Sequence, residues 1–209
     1  MPFTGSTTQS KEAISIALKQ LKLAEESIQR LLALRVDATE KMGETMTIQQ
    51  IHDSVRELVQ PIASHQRVLF QMNDFGGSSS NQIEGGKMNT LIEDGSSIVG
   101  AVISLVLNAF EAAGPGGEVN VAVRRCDDDS QATEWVVQDN GPGPTEAMAT
   151  VMFEPFATSK REGVGLGLAM GKRIANRHNG DVHWNRLATW AVFTLRIESR
   201  FGRSASQAK

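Results

Sequence analysis

Apolar residues in the first fifth of the chain recur at alternating spacings of three and four, at Ile14, Ala17, Leu21, Ala24, Ile28 and Leu31. That is the seam of a coiled coil or helix bundle. Leu18, Leu32 and Leu34 widen the seam, Lys19, Lys22, Glu25, Glu26 and Arg30 occupy the other faces, and no proline or glycine interrupts residues 11–38. The pattern predicts one long amphipathic helix over residues 11–40, preceded by a disordered N-terminus at 1–10. Its stripe must be buried against something. A dimerisation stem and a helix folded back on its own domain both satisfy that demand, and the narrow seam favours the stem.

A turn signal at 41–45 precedes a second helical pattern in which Ile48, Ile51, Val55, Leu58 and Ile62 share a face, with Pro61 expected to kink or end the helix. A short strand is predicted at 68–72. The loop that follows, 76–86, is so rich in glycine, serine and asparagine that it cannot bury apolar surface and is expected to be mobile. Beyond it the periodicity predicts a helix at 97–113, strands at 118–124 and 133–138, a helix at 167–178, and strands at 181–184 and 191–198. This order of helices and antiparallel strands predicts an α+β fold, a two-layer α/β sandwich over 45–198 with the N-terminal amphipathic helix in front and a disordered tail at 199–209. There is no internal repeat.

Composition narrows the picture. With 209 residues, 40% of them hydrophobic, the chain suffices for one good core and a helical extension but is short for two full domains. A net charge of −3, with basic residues dispersed apart from the tail at 200–209, leaves no electrostatic footprint for nucleic acid. Cys126 is the only cysteine, which excludes an intrachain disulfide and a cysteine-clustered metal site, fits a reducing compartment, and reads as an inert thiol on a strand. The N-terminal MPFTGSTTQSK is polar, and no apolar run comes close to the ~20 residues of a bilayer crossing, so no membrane segment is expected in this chain.

Four segments carry candidate chemistry. In Ser104-Leu-Val-Leu-Asn108-Ala-Phe-Glu111 a single asparagine sits among Leu105, Val106, Ala109 and Phe110. A buried amide needs a partner; its neutral oxygen suits magnesium, and Glu111, one turn on, reaches the same ion or its waters. Asp139-Asn-Gly-Pro-Gly143 follows a strand; a carboxylate at a pocket floor accepts a hydrogen bond from the exocyclic amine of adenine, and Gly141 and Gly143 admit a flat base. Phe153-Glu-Pro-Phe156, followed by Ala157-Thr158-Ser-Lys160, reads as a hinged lid anchored by its two aromatics that brings Lys160 to phosphate oxygens. Gly163-Val-Gly165-Leu166-Gly167-Leu168 opens a helix, where exposed N–H groups and the helix N-terminus suit polyphosphate. Each string alone also fits a bland role: a paired core amide, a turn, a surface anchor, a glycine-rich bend.

In this order and spacing the segments resemble the N, G1, F and G2 boxes of the histidine kinase catalytic domain, a member of the Bergerat or GHKL ATPase superfamily. The short stretch between the third and fourth is similar to the compact lids of the nitrogen-regulation type. The resemblance implies ATP and Mg²⁺ as cofactors, with Asn108 and Lys160 catalytic and Asn108 the magnesium ligand. It also implies that Asp139 reads adenine beside Gly141 and Gly143, that Phe153, Phe156, Thr158 and Lys160 form the lid site, and that Gly163, Gly165, Leu166, Gly167 and Leu168 line the phosphates. It further implies transfer of the γ-phosphoryl group to a histidine outside this chain, a response regulator as partner, a homodimer through the N-terminal helix, and a cytoplasmic location.

Two departures qualify the likeness. The family carries asparagine or an acid where this chain has Ser104, and residues 1–10 hold no acceptor histidine. His52-Asp53 is the tempting substitute, but the pattern of Ile48, Ile51, Val55 and Leu58 makes its helix the first element of the catalytic domain, with His52 partly buried at the edge of the apolar face. His65, His178 and His183 read as structural or surface residues. Two other functions stay open: a serine kinase of the anti-sigma-factor type, which needs no acceptor histidine, and a degenerate nucleotide-binding scaffold.

Overall fold

The computed structural model describes residues 43–73, 89–126, 132–160 and 163–198. The expectations for 1–10, the helix at 11–40, the loop at 76–86 and the tail at 199–209 lie outside those residues.

The two-residue strand β1 (Met46–Thr47) runs straight into helix α1 (Ile48–Gln66). A reciprocal capping box fixes the start: Gln50 N donates to Thr47 Oγ1 at 3.1 Å, and Thr47 N donates to the Gln50 side chain at 2.7 Å. The helix continues past Pro61 instead of ending there. Pro61 and Glu57 both face solvent, so the Glu57 carbonyl left without a backbone donor meets water and not the core. The buried stripe is Ile48, Ile51, His52, Val55, Val59 and Ala63, whereas Leu58 is 54% exposed. The expected face is therefore corrected at Leu58, which lies on the flank of the stripe opposite His52 and Ala63, while Ile62 packs against the core as expected.

Strand β2 (Leu69–Asn73), the short β3 (Leu91–Ile92), helix α2 (Gly95–Ala113) and strands β4 (Glu118–Arg125) and β5 (Ala132–Asp139) follow. Then come the one-turn helix α3 (Glu146–Ala149), helix α4 (Gly167–Arg177), and strands β6 (Asp181–Leu187) and β7 (Trp190–Glu198). The main sheet has the order β2-β4-β5-β7-β6, antiparallel except for β2 beside β4, and β1 pairs with β3 in a separate ribbon. Elements as short as β1, β3 and α3 carry too few residues to show a period. Cys126 stands one residue beyond β4, half-buried, and its sulfur accepts from Arg196 Nη1 at 3.0 Å.

The helices cover one face of the sheet, so the core forms between α1, α2 and α4 and the inner residues Val119, Val121, Val123, Trp135, Val137, Val182 and Leu195. Helix α2 spans 19 residues with a mean hydropathy of 1.6, so one stretch does reach the length and apolarity of a membrane crossing, contrary to the sequence expectation. Its Ile98, Val102, Leu105, Val106, Ala109 and Phe110 are buried inside the domain, as expected of a helix apolar on most sides at the centre of a core. Phe110 stacks edge to face on Phe70 at 5.3 Å between ring centroids. Strand register sets one further row across the inner face: Val119, Asp139, Ala191 and Arg186. That row places a carboxylate and a guanidinium on the helix side of the sheet, at the end where the second glycine-bearing loop begins.

Candidate functional site

The site builds outward from α2. Asn108 is half-buried at the rim of the core, its apolar neighbours being the buried ones, so the amide looks outward. Its Oδ1 accepts a hydrogen bond from Lys160 Nζ at 3.0 Å, and the same ammonium pairs with the Glu111 carboxylate. Two oxygens one turn apart on a helix thus converge on one cation supplied from 52 residues away. Glu111, which the sequence places one turn from Asn108, contributes the second oxygen to Lys160. Among the described residues no group of three or more histidine, cysteine or acidic side chains gathers as a metal centre. A neutral amide oxygen and one carboxylate leave most positions of a magnesium shell to water and phosphate, which matches how that ion is usually held.

Asp139 ends β5 with only 1% of its surface exposed. Its Oδ1 accepts the Gly141 N–H at 2.9 Å, closing the turn. Burial pushes the carboxyl group above its ordinary pKa, a push partly countered by the Gly141 N–H and by the charge of Arg186. Asn140 ties the loop to the sheet, its Oδ1 accepting from Glu118 N at 2.9 Å. Gly141 is packed on the last turn of α2, where a Cβ would stand 2.5 Å from the Ala112 carbonyl oxygen, so glycine is required there. The loop that holds Asp139 and the helix that holds Asn108 therefore share a backbone contact.

The lid is anchored differently from the sequence expectation. Met152 is 3% exposed and Phe153 packs against the core, but Phe156 is 65% exposed with φ at 68°. Phe156 is no anchor; its backbone N–H donates to Gly165 O at 2.9 Å and its ring faces solvent. The buried partner of Phe153 is Met152, one place outside the aromatic pair that drew attention in the sequence. Thr158 Oγ1 accepts from Lys160 N at 3.1 Å, shaping the turn that presents the lysine.

Gly165 has φ at 69°, and a Cβ there would lie 2.6 Å from the backbone carbon of Phe156, so the glycine loop and the lid base touch directly. Leu166 is the N-cap of α4; its side chain is fully buried and makes no capping hydrogen bond, so whatever it offers a ligand comes from its backbone. Leu168 likewise packs against the core. Gly163 lies against Thr158 and Lys160. At Gly167 a Cβ would meet Ser104 Oγ at 2.4 Å and Asn108 Nδ2 at 4.0 Å, which seats the start of α4 on the α2 face bearing both residues. Four segments dispersed over some 60 residues are thus joined at three close approaches: Ala112 with Gly141, Ser104 with Gly167, and Phe156 with Gly165.

The four histidines of the chain all lie among the described residues. His52 is fully buried, not partly, with Nε2 3.1 Å from Arg56 Nη2. His178 is 3% exposed, whereas His65 and His183 face solvent.

A family model described as histidine kinase-, DNA gyrase B-, and HSP90-like ATPase matches residues 93–200, which take in α2, the lid, α4 and every glycine discussed above. The chain belongs to this family. The signal transduction histidine-protein kinase AtoS of Escherichia coli (strain K12) is 27% identical over 186 residues, covering 88% of this chain and 28% of AtoS. The sensory histidine kinase/phosphatase NtrB of Rhizobium meliloti (strain 1021) is 31% identical over 124 residues, 53% of this chain and 32% of NtrB. The chain therefore spans about a third or less of these two relatives. Among solved structures, the catalytic domain of histidine kinase ThkA superposes with a TM-score of 0.62 at 22% identity, over 77% of this chain and 97% of that domain. Full-length ShkA, in complex with AMPPNP, superposes with a TM-score of 0.70 at 19% identity, over 95% of this chain and 40% of ShkA. The fold is that of histidine kinase catalytic domains, as the order of the four boxes implied.

Proposed function

We propose that this chain is the ATP-binding catalytic part of a sensor histidine kinase, binding Mg·ATP between α2, the lid and the start of α4 and passing the γ-phosphoryl group to a histidine outside the chain. The convergence of Asn108 Oδ1 and the Glu111 carboxylate on one cation, beside a helix start with no side-chain cap, is the observation that carries this reading. At the far end of the same wall Asp139 is a buried acceptor for the adenine amine, which the oxo group of guanine cannot satisfy. Magnesium held by Asn108 and Glu111 would neutralise charge on the phosphates.

The remaining work belongs to the chain. The N–H groups at the start of α4 and the glycines before it bind the phosphate oxygens, and Lys160 exchanges its two α2 oxygens for phosphate, drawing the lid over the nucleotide. The incoming imidazole nitrogen forms the bond to the γ-phosphorus as the bond to the β–γ bridging oxygen breaks, and ADP leaves with that electron pair. Positioning and charge neutralisation supply the rate, without a covalent intermediate on this domain. Burial removes His52 and His178 from consideration as acceptors.

ThkA was solved in complex with the response regulator protein TrrA. By likeness, this chain feeds a response regulator, the helix expected at 11–40 pairs two copies, and the location is cytoplasmic. The test is transfer from Mg·ATP to a separate helical protein carrying an acceptor histidine flanked by an acid. Acid-labile, base-stable phosphate on that protein is expected. Acid-stable phosphoserine on a partner would instead identify the anti-sigma-factor type of kinase.

A further inference from the structure

Arg186 carries no motif and stands near the exposed end of β6, yet register puts it in the same inner row as Asp139, with Ala191 between them. One of its nitrogens, Nη1, donates to Pro142 O at 2.8 Å and to Gly141 O at 3.3 Å. The next residue, Gly143, has φ at +70°, and a Cβ there would lie 2.8 Å from the same nitrogen. The guanidinium thus occupies the hollow of the loop and takes two successive carbonyls, while on the loop's other side Gly141 N holds Asp139 Oδ1. Both backbone polar groups of Gly141 are thus held, its N–H by the Asp139 carboxylate and its carbonyl by Arg186.

We infer that Arg186 is a positioning residue for base recognition: by fixing the carbonyls of Gly141 and Pro142 it holds the loop in the turn that aims Asp139 at the exocyclic amine of adenine. This rests on the nucleotide reading proposed above and adds a residue to it. Three observations favour this role over a simple surface contact. Both bonds end on the loop that begins at Asp139, the charge of Arg186 opposes the effect of burial on that carboxylate, and the glycine at 143 leaves the guanidinium its space. A cation near a buried acid also favours its ionised, accepting form. Both bonds leave from a single nitrogen, so a lysine ammonium can replace much of the contact, whereas alanine removes all of it.

The test is titration calorimetry of the intact chain with Mg·ATP, Mg·GTP and magnesium tripolyphosphate, on the wild type, Arg186→Ala and Arg186→Lys. For Arg186→Ala, ATP affinity is expected to fall about tenfold, the scale of losing hydrogen bonds from a charged donor, with the preference for ATP over GTP falling alongside. Tripolyphosphate, which has no base, should bind within about twofold of wild type, and Arg186→Lys should recover most of the ATP affinity. Unchanged ATP affinity in Arg186→Ala overturns the inference, and so does an equal loss for ATP and tripolyphosphate, which marks a general structural role. If Arg186→Ala lowers the melting temperature, Arg186→Gln carries the same comparison with one donor kept and the charge removed. A wild-type chain that binds no ATP overturns the nucleotide reading itself, an outcome distinct from either of these.

Discussion

Replacing Asp139 with asparagine is expected to lower Mg·ATP affinity by at least ~100-fold while leaving the nucleotide-free domain folded and gaining stability relative to the wild type as pH rises. Asparagine keeps an oxygen for the Gly141 N–H, so the turn survives, but it places an amide donor where the second carboxylate oxygen stood, facing the adenine amine with donor against donor. The stability change follows from the raised carboxyl pKa, whose chief cause is burial. Because the folded-state value lies above the unfolded one, the native state holds this proton to higher pH than the unfolded chain does. The contribution of Asp139 to stability is therefore complete below the unfolded pKa and lost as pH rises through the folded one. Once ionised, Asp139 bears the cost of a buried charge, and asparagine does not. Urea denaturation across pH 4 to 8 should show Asp139→Asn gaining on the wild type as pH rises, and nucleotide titration should show the affinity gone. A variant that binds ATP normally would remove Asp139 from the base pocket.

Asparagine 108 predicts the opposite division of effects. Asn108→Ala should leave ATP affinity within about tenfold of wild type and reduce phosphoryl transfer by more than ~100-fold, because the interaction it removes grows as charge develops on the transferring group. Base contacts at Asp139 and backbone contacts at the start of α4 stay in place and continue to bind nucleotide. Single-turnover transfer measured at saturating ATP separates the two quantities. A transfer rate close to wild type would remove Asn108 from the phosphate end of the site. In the nucleotide-free state the same variant leaves Lys160 with Glu111 as its α2 partner, so the lid loses one of the two oxygens that hold it.

The parts of this site legible in the sequence are those whose chemistry is local. Asp139-Asn-Gly-Pro-Gly143 follows a strand with an apolar centre at Trp135, Val136 and Val137, and the glycines at 163, 165 and 167 open a periodic helix, so both could be placed on the right elements without coordinates. What escaped is what depends on three-dimensional register. Arg186 sits in a polar stretch of a half-exposed strand, and only pairing of β5 with β7 and of β7 with β6 brings it beside Asp139. Phe156 looks like half of an aromatic anchor, yet a left-handed backbone turns it outward and leaves Met152 to be buried. The sequence pattern puts His52 at the edge of the stripe, but the buried face widens toward the side of the helix that His52 shares with Ala63 and takes it in. Pro61 misled for a related reason: a proline on the solvent side of a helix near its end breaks one hydrogen bond that water can replace. Ser104, which departs from the family's usual residue, lies where Gly167 closes on α2, a contact no spacing in the sequence reveals.

On the proposed reading one wall, from Asp139 through Ala112 to Asn108 and the start of α4, binds an adenine nucleotide and discriminates its base. Titration calorimetry of the intact chain with Mg·ATP and with Mg·GTP tests it most directly. Saturable one-to-one binding of Mg·ATP is expected, with Mg·GTP at least ~100-fold weaker because its oxo group would face the Asp139 carboxylate. Absence of binding with Mg·ATP, or equal affinity for the two nucleotides, would contradict it.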